Sequence, residues 1–565
     1  MTRPTRWART IAAILVAIGL VASSAACASL PTKGAIKIGP SIEQGFTGEV
    51  LYYSPNGPSE GASQTDIING FLTAGTGPQN DYEVAREYLT EDLRSNWQPT
   101  QEVLVQGTSG QLLIQPDNRV TYATAIESRI NSEGQFTALS TPEPRVLEFR
   151  LVRENGEWRI SKAPNATLLI RPVFEVLFKP YSVYFYDNNL KYLVPDVRWF
   201  PSRASTSTRL VNAILDGPAR WLQSTVQSAI PAGTALSIDS VTVNRGVAVV
   251  DLNSEALKAS PLHRQYIKAQ LTETLMQVPT VTSVSLLIAG TPVVVPNFSQ
   301  PQPPAESYAP VMLTEKALYQ IGGTAASPIA GSSQFISELK PQDFALDSAQ
   351  DRLALLTKFG IYSARLGDLA ASPELIDARA GLLAPQIDPQ GYIWSVGKSA
   401  GSLVYAINSR GLKLPQSASW LSGRARLAFA VSPEGSRIAF VTMRAGRPVV
   451  EVAGIVRNSK GEPSAIGVAI EVAKDVISPR ALSWQGSTTL AVLGSSTAVG
   501  SSLVTQVEVG GMSKALTSVP VSKAIASSSA SQGIFVLSED SSVLNYQVID
   551  WRKLADGALA VHYSH

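Results

Sequence analysis

Two hydrophobic periods alternate along the chain, and the points where one gives way to the other divide it into segments. Between Asp81 and Trp97 the apolar residues Tyr82, Ala85, Tyr88, Leu89, Leu93 and Trp97 recur at helical spacing. This predicts a helix with one buried face, closed by Pro99. From Val103 the period falls to two: Val103 and Val105, Leu112 and Ile114, Tyr122 to Ile126, then Leu147, Phe149 and Leu151 read as strands. Asn155-Gly156 predicts a tight turn into a strand with Trp158 and Ile160, because both turn residues tolerate positive φ. Further on, Tyr184, Tyr186, Tyr192 and Val194 flank Asp187-Asn188-Asn189 and predict a second hairpin. A helix from about Thr206 to Asp216 follows, burying Leu210, Val211, Ile214 and Leu215 and stopped by Gly217-Pro218. Val241 and Val243 turn through Asn244-Arg245-Gly246 into Val247 and Val249. A second helix, Arg264 to Val278, leads to a closing strand from Val284 to Ile288.

Beyond a proline-rich stretch the pattern repeats. Asp347 to Thr357 reads DSAQDRLALLT, Asp388 to Val396 DPQGYIWSV, Ser432 to Thr442 SPEGSRIAFVT and Ser483 to Leu493 SWQGSTTLAVL, with a fainter copy, SSASQGIFVLS, from Ser528. Each is a polar turn feeding a short apolar strand. The starts fall 41, 44, 51 and about 45 residues apart, which matches the ~40 to 50 residues of a four-stranded propeller blade. Five blades are visible; Pro310 to Ile321, or the C-terminal strand around Val548, would complete or close a sixth.

The N-terminus changes where such a protein would work. Arg3, Arg6 and Arg9 precede an apolar run from Ile11 to Val21 and the small residues Ala22 to Ala26, the layout of a secretory signal. The run is too short to be preferred as a spanning helix. Ser24-Ala25-Ala26-Cys27 resembles the lipobox of bacterial lipoproteins, with Ser24 where that motif usually carries Leu. The resemblance implies cleavage after Ala26 and diacylation of Cys27. Two acyl chains, at about 0.8 kcal/mol per buried methylene, hold a protein on a bilayer stably where one does not. Cys27 is the only cysteine, so no internal disulfide framework or thiolate metal cluster is expected.

These divisions give a multidomain chain: signal peptide 1–26, lipidated cysteine and tether 27–41, an α+β N-terminal domain 42–178, a second α+β domain 179–295, a proline-rich linker 296–309 and an all-β propeller of five or six blades 310–565. Helices followed by a curled antiparallel sheet make the first domain similar to the NTF2-like architecture. In the second, Gly217-Pro218 with Trp221, Ile230 to Thr234, VTVNRGVAVVDL from Val241, AQLTETL from Ala269 and VTSVSLLIAG from Val281 resemble the GerMN domain of spore-germination and other exported bacterial proteins. In this order, lipoprotein signal, helix-then-sheet domain, GerMN domain and degenerate propeller resemble the actinobacterial LpqB lipoprotein family. The resemblance implies binding to the extracytoplasmic region of the MtrB sensor histidine kinase of the MtrA–MtrB two-component system, with consequences for cell-wall homeostasis and division.

Composition supports recognition more than catalysis. The chain is 44% hydrophobic and 16% charged over 565 residues, enough for three or four packed domains. The formal charge is +2, three of the positive charges lie before Cys27 and no acid does, so the remainder carries −1; nucleic acid is not an expected partner. The three histidines are His263, placed on a helix start, and His562 and His565, placed in a terminal tail where fraying is the default. Ser337 to Lys340 and Ser395 to Lys398 fit an S-x-x-K pattern without its downstream partners and are read as chance. Asp347, Asp351, Asp388 and Glu434 are expected to bond turn backbone, and Trp394 and Trp484 to pack between blades. No enzyme activity, cofactor or metal is expected and the binding residues are unassigned. Alternatives to the kinase accessory are a binding protein for cell-wall glycan or peptide using the propeller channel, and an exported propeller hydrolase or lyase with two facing acids.

Overall fold

Ser63 and Asp66 set the start of the first helix. The Asp66 N–H donates to Ser63 Oγ at 3.3 Å while the Asp66 carboxylate accepts the Ser63 N–H at 3.1 Å, a reciprocal capping box that opens Gln64–Ala74. The computed structural model describes residues 55–564 apart from 204, 297, 305–308, 323–324, 369, 371 and 531–532, and it differs from the sequence expectation immediately afterwards. The helix expected from Asp81 to Trp97 is broken into Gln79–Asp81, Glu83–Arg86 and Glu91–Asn96. Tyr82, at φ 61°, makes the first break. The second comes from the sheet: Leu89 bridges Ile160, and the Thr90 N–H donates to Ile160 O at 3.0 Å instead of continuing a helix. Tyr82, Ala85, Tyr88, Leu89 and Trp97 are nevertheless all buried. Their helical spacing reports a shared inward side of a bent chain.

The N-terminal sheet runs Glu157–Lys162, Phe136–Glu154, Arg119–Asn131, Glu102–Gln106, Thr167–Ile170, with Gln111–Ile114 also paired to Arg119–Asn131. It is not wholly antiparallel as expected, because Glu102–Gln106 and Thr167–Ile170 pair in parallel. The cause lies just before them. Trp97 Nε1 donates to Pro164 O at 2.8 Å, the Gln98 N–H to Asn165 Oδ1 at 3.0 Å and Thr167 Oγ1 to Pro99 O at 2.8 Å, so the two segments lie side by side and enter the sheet in the same direction.

In the second domain the helix Thr206–Asp216 falls where its period placed it. The other helix, Pro261–Leu275, begins three residues before the expected Arg264, because Ser260 Oγ caps the His263 N–H at 3.2 Å and Pro261 takes the first helical position. It crosses between the parallel strands Val247–Leu252 and Ser283–Ile288. A second sheet, Leu193–Pro201, Phe178–Asp187 and Val226–Gln227, completes one shared core around Phe185, Leu210, Ile214, Val250 and Leu271.

The C-terminal part is a β-propeller. Among the described residues it has six sheets of four strands, the fifth with a short extra strand. All five sequence copies are the turn between the first and second strands of a blade, leading into Arg352–Thr357, Ile393–Val396, Arg437–Arg444, Thr489–Ser495 and Ile534–Ser538. The remaining blade joins Val311–Leu313, Leu318–Gly322 and Ala325–Pro328 to the chain's last strand, Ala560–His562, which pairs antiparallel with Val311–Leu313. Closure therefore falls to Ala560–His562 and not to the region of Val548, which sits 84% exposed between Val543–Gln547 and Asp550–Ala555. The innermost strands of successive blades, Ala560–His562 among them, touch one another in a closed ring around a central channel.

Candidate functional site

The turns that carry the repeat are built by their own acids. Asp347 Oδ1 accepts the N–H groups of Asp351 and Arg352 at 2.8 and 2.9 Å, and Asp388 Oδ1 those of Gln390 and Tyr392 at 3.0 and 2.8 Å. Asp388 Oδ2 additionally takes Trp394 Nε1 at 3.0 Å and the Arg457 guanidinium, from the next blade, at 2.8 Å. Glu434 was expected to bond turn backbone; its Oε1 instead accepts two side chains, Ser432 Oγ and Arg437 Nε, at 2.5 and 2.7 Å. Asp351 holds the Gly367 N–H and Arg365, each at 3.2 Å. Neighbouring turns are cross-tied, Gln390 Nε2 to Glu434 O at 3.1 Å and Arg437 to Ser487 O at 2.5 Å. Trp394 and Trp484 are fully buried, the latter donating to Ala430 O at 3.1 Å. These groups hold the ring of blades together.

The channel inside that ring opens into a cavity of about 380 Å³ lined by propeller residues from all six blades. Asp343 is the one acid in its lining, so the facing pair of carboxylates that a glycosidase requires is not formed by the described lining residues. Asp343 Oδ1 is already engaged by the Phe344 N–H at 2.9 Å and by His562 Nε2 at 2.6 Å. His562 was expected in a frayed tail; it instead ends the closing strand, where pairing with Val311 fixes it. Lys398, Arg480 and Lys523 line the same cavity from three different blades. None was singled out as a ligand contact from sequence. Lys398 closed one of the two chance S-x-x-K matches, whose Ser395 is buried and donates to Asp377 Oδ2 at 2.6 Å. In the other match, Ser337 Oγ donates to Gln334 O at 2.9 Å. His263 caps its helix with Ser260 at the surface. Ala26, Cys27 and His565 lie outside the described residues.

A second cavity, about 290 Å³, forms where three domains meet. Phe136 and Thr137 line it from the first domain, Asp196, Val197 and Trp221 from the second, and the strand Ser501–Glu508 with its following turn from the propeller. Burial in it pushes the Glu508 carboxyl up to about 7. Glu471 and Lys474 share this lining, and Asp196 is neutralised by Arg198 at 2.8 Å. Because the folded acid holds its proton more tightly than the unfolded one, the contribution of Glu508 to folding stability is fully present below pH ~4.5 and is lost as the pH rises through 7, by about 2 kcal/mol after allowance for partial exposure. Glu508→Gln is expected to flatten this slope in denaturant titrations between pH 5 and 8; an unchanged slope would assign it elsewhere.

Comparison with known proteins divides the chain in the same sense. The model of "Lipoprotein LpqB, N-terminal domain" matches residues 57–175, that of "Sporulation and spore germination" residues 182–294, and that of "Lipoprotein LpqB beta-propeller domain" residues 316–560. Lipoprotein LpqB of Thermobifida fusca is 30% identical over 309 residues, 51% of this chain and 48% of that protein; the match thus spans about half of each. Lipoprotein LpqB of Cutibacterium acnes is 24% identical over 609 aligned positions that cover 99% of both chains. Among solved structures, the first GerMN domain of the sporulation protein GerM from Bacillus subtilis is 25% identical and is covered to 92%, against 22% of this chain, with a TM-score of 0.18. No helix among the described residues is long and apolar enough to cross a membrane.

Proposed function

The chain belongs to the lipoprotein LpqB family, and on that premise we propose that it is a non-enzymatic accessory, anchored through Cys27 on the extracytoplasmic face of the cell membrane, that binds the sensor region of the MtrB histidine kinase and biases its signalling. The observation that carries this reading is the order of the three matched segments, N-terminal, germination-type and propeller, in one chain behind a lipobox-like cysteine. Physical considerations are in keeping with it. A lipid anchor confines the protein to a thin layer beside the bilayer, raising its effective concentration toward membrane-embedded partners, so that modest affinity suffices. To regulate, it must bind one signalling state of the kinase more tightly than the other, since equal affinity for both shifts no equilibrium.

Replacing Cys27 with alanine is the direct test. The variant is expected to move from the membrane to the soluble exported fraction and to lose most of the kinase that co-purifies with the wild type. A membrane-bound kinase complex of undiminished yield would sink the anchoring mechanism. Crosslinking of wild-type protein in intact membranes, followed by identification of the attached protein, tests the partner separately.

A further inference from the structure

We propose that the open end of the propeller channel is a binding site for a small ligand, or the end of a larger one, that bears an oxyanion, either a carboxylate or a phosphate. Three observations converge on it. The cavity of about 380 Å³ is of a size that encloses a small ligand. Its described lining residues all belong to the propeller. The charge of its described lining is unbalanced: Lys398, Arg480 and Lys523 against Asp343.

Topology places these cations at one end. Arg480 immediately precedes the first strand of its blade, Ala481–Gln485, and Lys523 is the second residue of the next, Ser522–Ser527. Lys398 follows Ile393–Val396, which runs antiparallel to its own inner strand. All three therefore lie at the mouth where inner strands begin. Arg480 is fixed there: its Nε donates to Ser522 O at 3.0 Å and its guanidinium also to Ser502 Oγ. Lys398 and Lys523 are exposed and make no ion pair among the described residues. The acids within reach do not cancel this excess. Asp343 is taken up by His562 and by the Phe344 N–H, and Glu539, whose charge is felt by Arg480, lies exposed in the turn after Ile534–Ser538. Low-dielectric walls focus the field of such a mouth and attract an anion into it. Charge-assisted hydrogen bonds then hold the anion.

The test uses the full chain purified in detergent, titrated calorimetrically at low ionic strength with glycerol 3-phosphate, with N-acetylalanylalanine and with the C-terminal amide of that dipeptide. Saturable binding of either oxyanion, weakening as salt is raised, is expected, with no binding of the amide; which oxyanion binds identifies the source. Lys398→Gln with Lys523→Gln, both exposed and so tolerated by the fold, should lower affinity by about tenfold or more at unchanged thermal stability. The same exchange at the exposed Lys460 and Lys514 should leave it unchanged. Absence of saturable binding by both oxyanions, equal binding of the amide, or full affinity in the Lys398/Lys523 variant would each overturn the site. The inference is independent of the kinase reading and survives its failure.

Discussion

Replacing Arg437 with alanine is expected to destabilise the propeller by about 3–5 kcal/mol, lowering its melting temperature by roughly 10 °C. The size follows from what is left behind. Arg437 and Glu434 are each only 1% exposed and pair at 2.7 Å. The guanidinium also lies over the Trp484 ring, 4.8 Å from its centroid, and donates to Ser487 O in the next blade's turn at 2.5 Å. Truncation strands a buried carboxylate with no counter-charge, opens space over an indole and releases a tie between two blades. The desolvation penalty of the orphaned charge dominates these losses. Removing the charge as well, in Glu434→Gln with Arg437→Met, should therefore recover most of the stability even though the pair is gone. Failure of the double variant to recover would mean that packing on Trp484, not charge, governs the site. The pair Arg365–Asp351 makes the contrast: at 61% and 42% exposure, Asp351→Asn should cost well under ~1 kcal/mol.

Those buried pairs also mark how far the sequence could be read. The turn copies containing Asp388 and Glu434 were legible because each blade repeats one local design, a polar turn followed by an apolar strand. The closing strand was not. Ala560–His562 is three residues long, and although Asp556-Gly557 marks a turn before it, it takes its place from a partner, Val311–Leu313, far away in sequence. The same holds for the channel mouth, since Lys398, Arg480 and Lys523 come from separate blades and only ring closure brings them to one cavity. The break at Leu89 arises from its bridge to Ile160, a tertiary contact that overrides a clear helical period. In contrast, Ser63 and Asp66 form a capping signal that is local and so legible in the sequence. The elevated Glu508 carboxyl has no sequence signature at all, because residues of two other domains help to bury it.

The wild type is expected to unfold in one transition and Trp199→Ala in two, with the propeller melting apart from the other domains. This one side chain touches all three. It is 4% exposed, ends the second domain's long hairpin, and packs at 5.1 Å from Phe174 and 5.3 Å from Phe136 of the preceding segment. Its backbone N–H donates to Gly134 O at 2.8 Å, and its Nε1 donates across to Gly510 O in the propeller at 3.0 Å. Met512 packs against the same aromatic cluster. Gly510 permits the approach: at φ 89°, a Cβ there would lie 3.1 Å from Val197 O, tighter than ordinary contact. Loss of a buried tryptophan costs about 3–5 kcal/mol, and here the cost falls on the junction, so it removes coupling between domains more than the stability of any one. Trp199→Phe keeps an aromatic ring in the stack, loses the indole hydrogen bond, about 1 kcal/mol, and part of the packing, and should preserve one transition. Calorimetry of the two variants separates the cases. If Trp199→Ala still melts in a single step near the wild-type temperature, the three domains are held together elsewhere; if it splits while Trp199→Phe does not, the aromatic stack is the joint that couples the unfolding of the three domains.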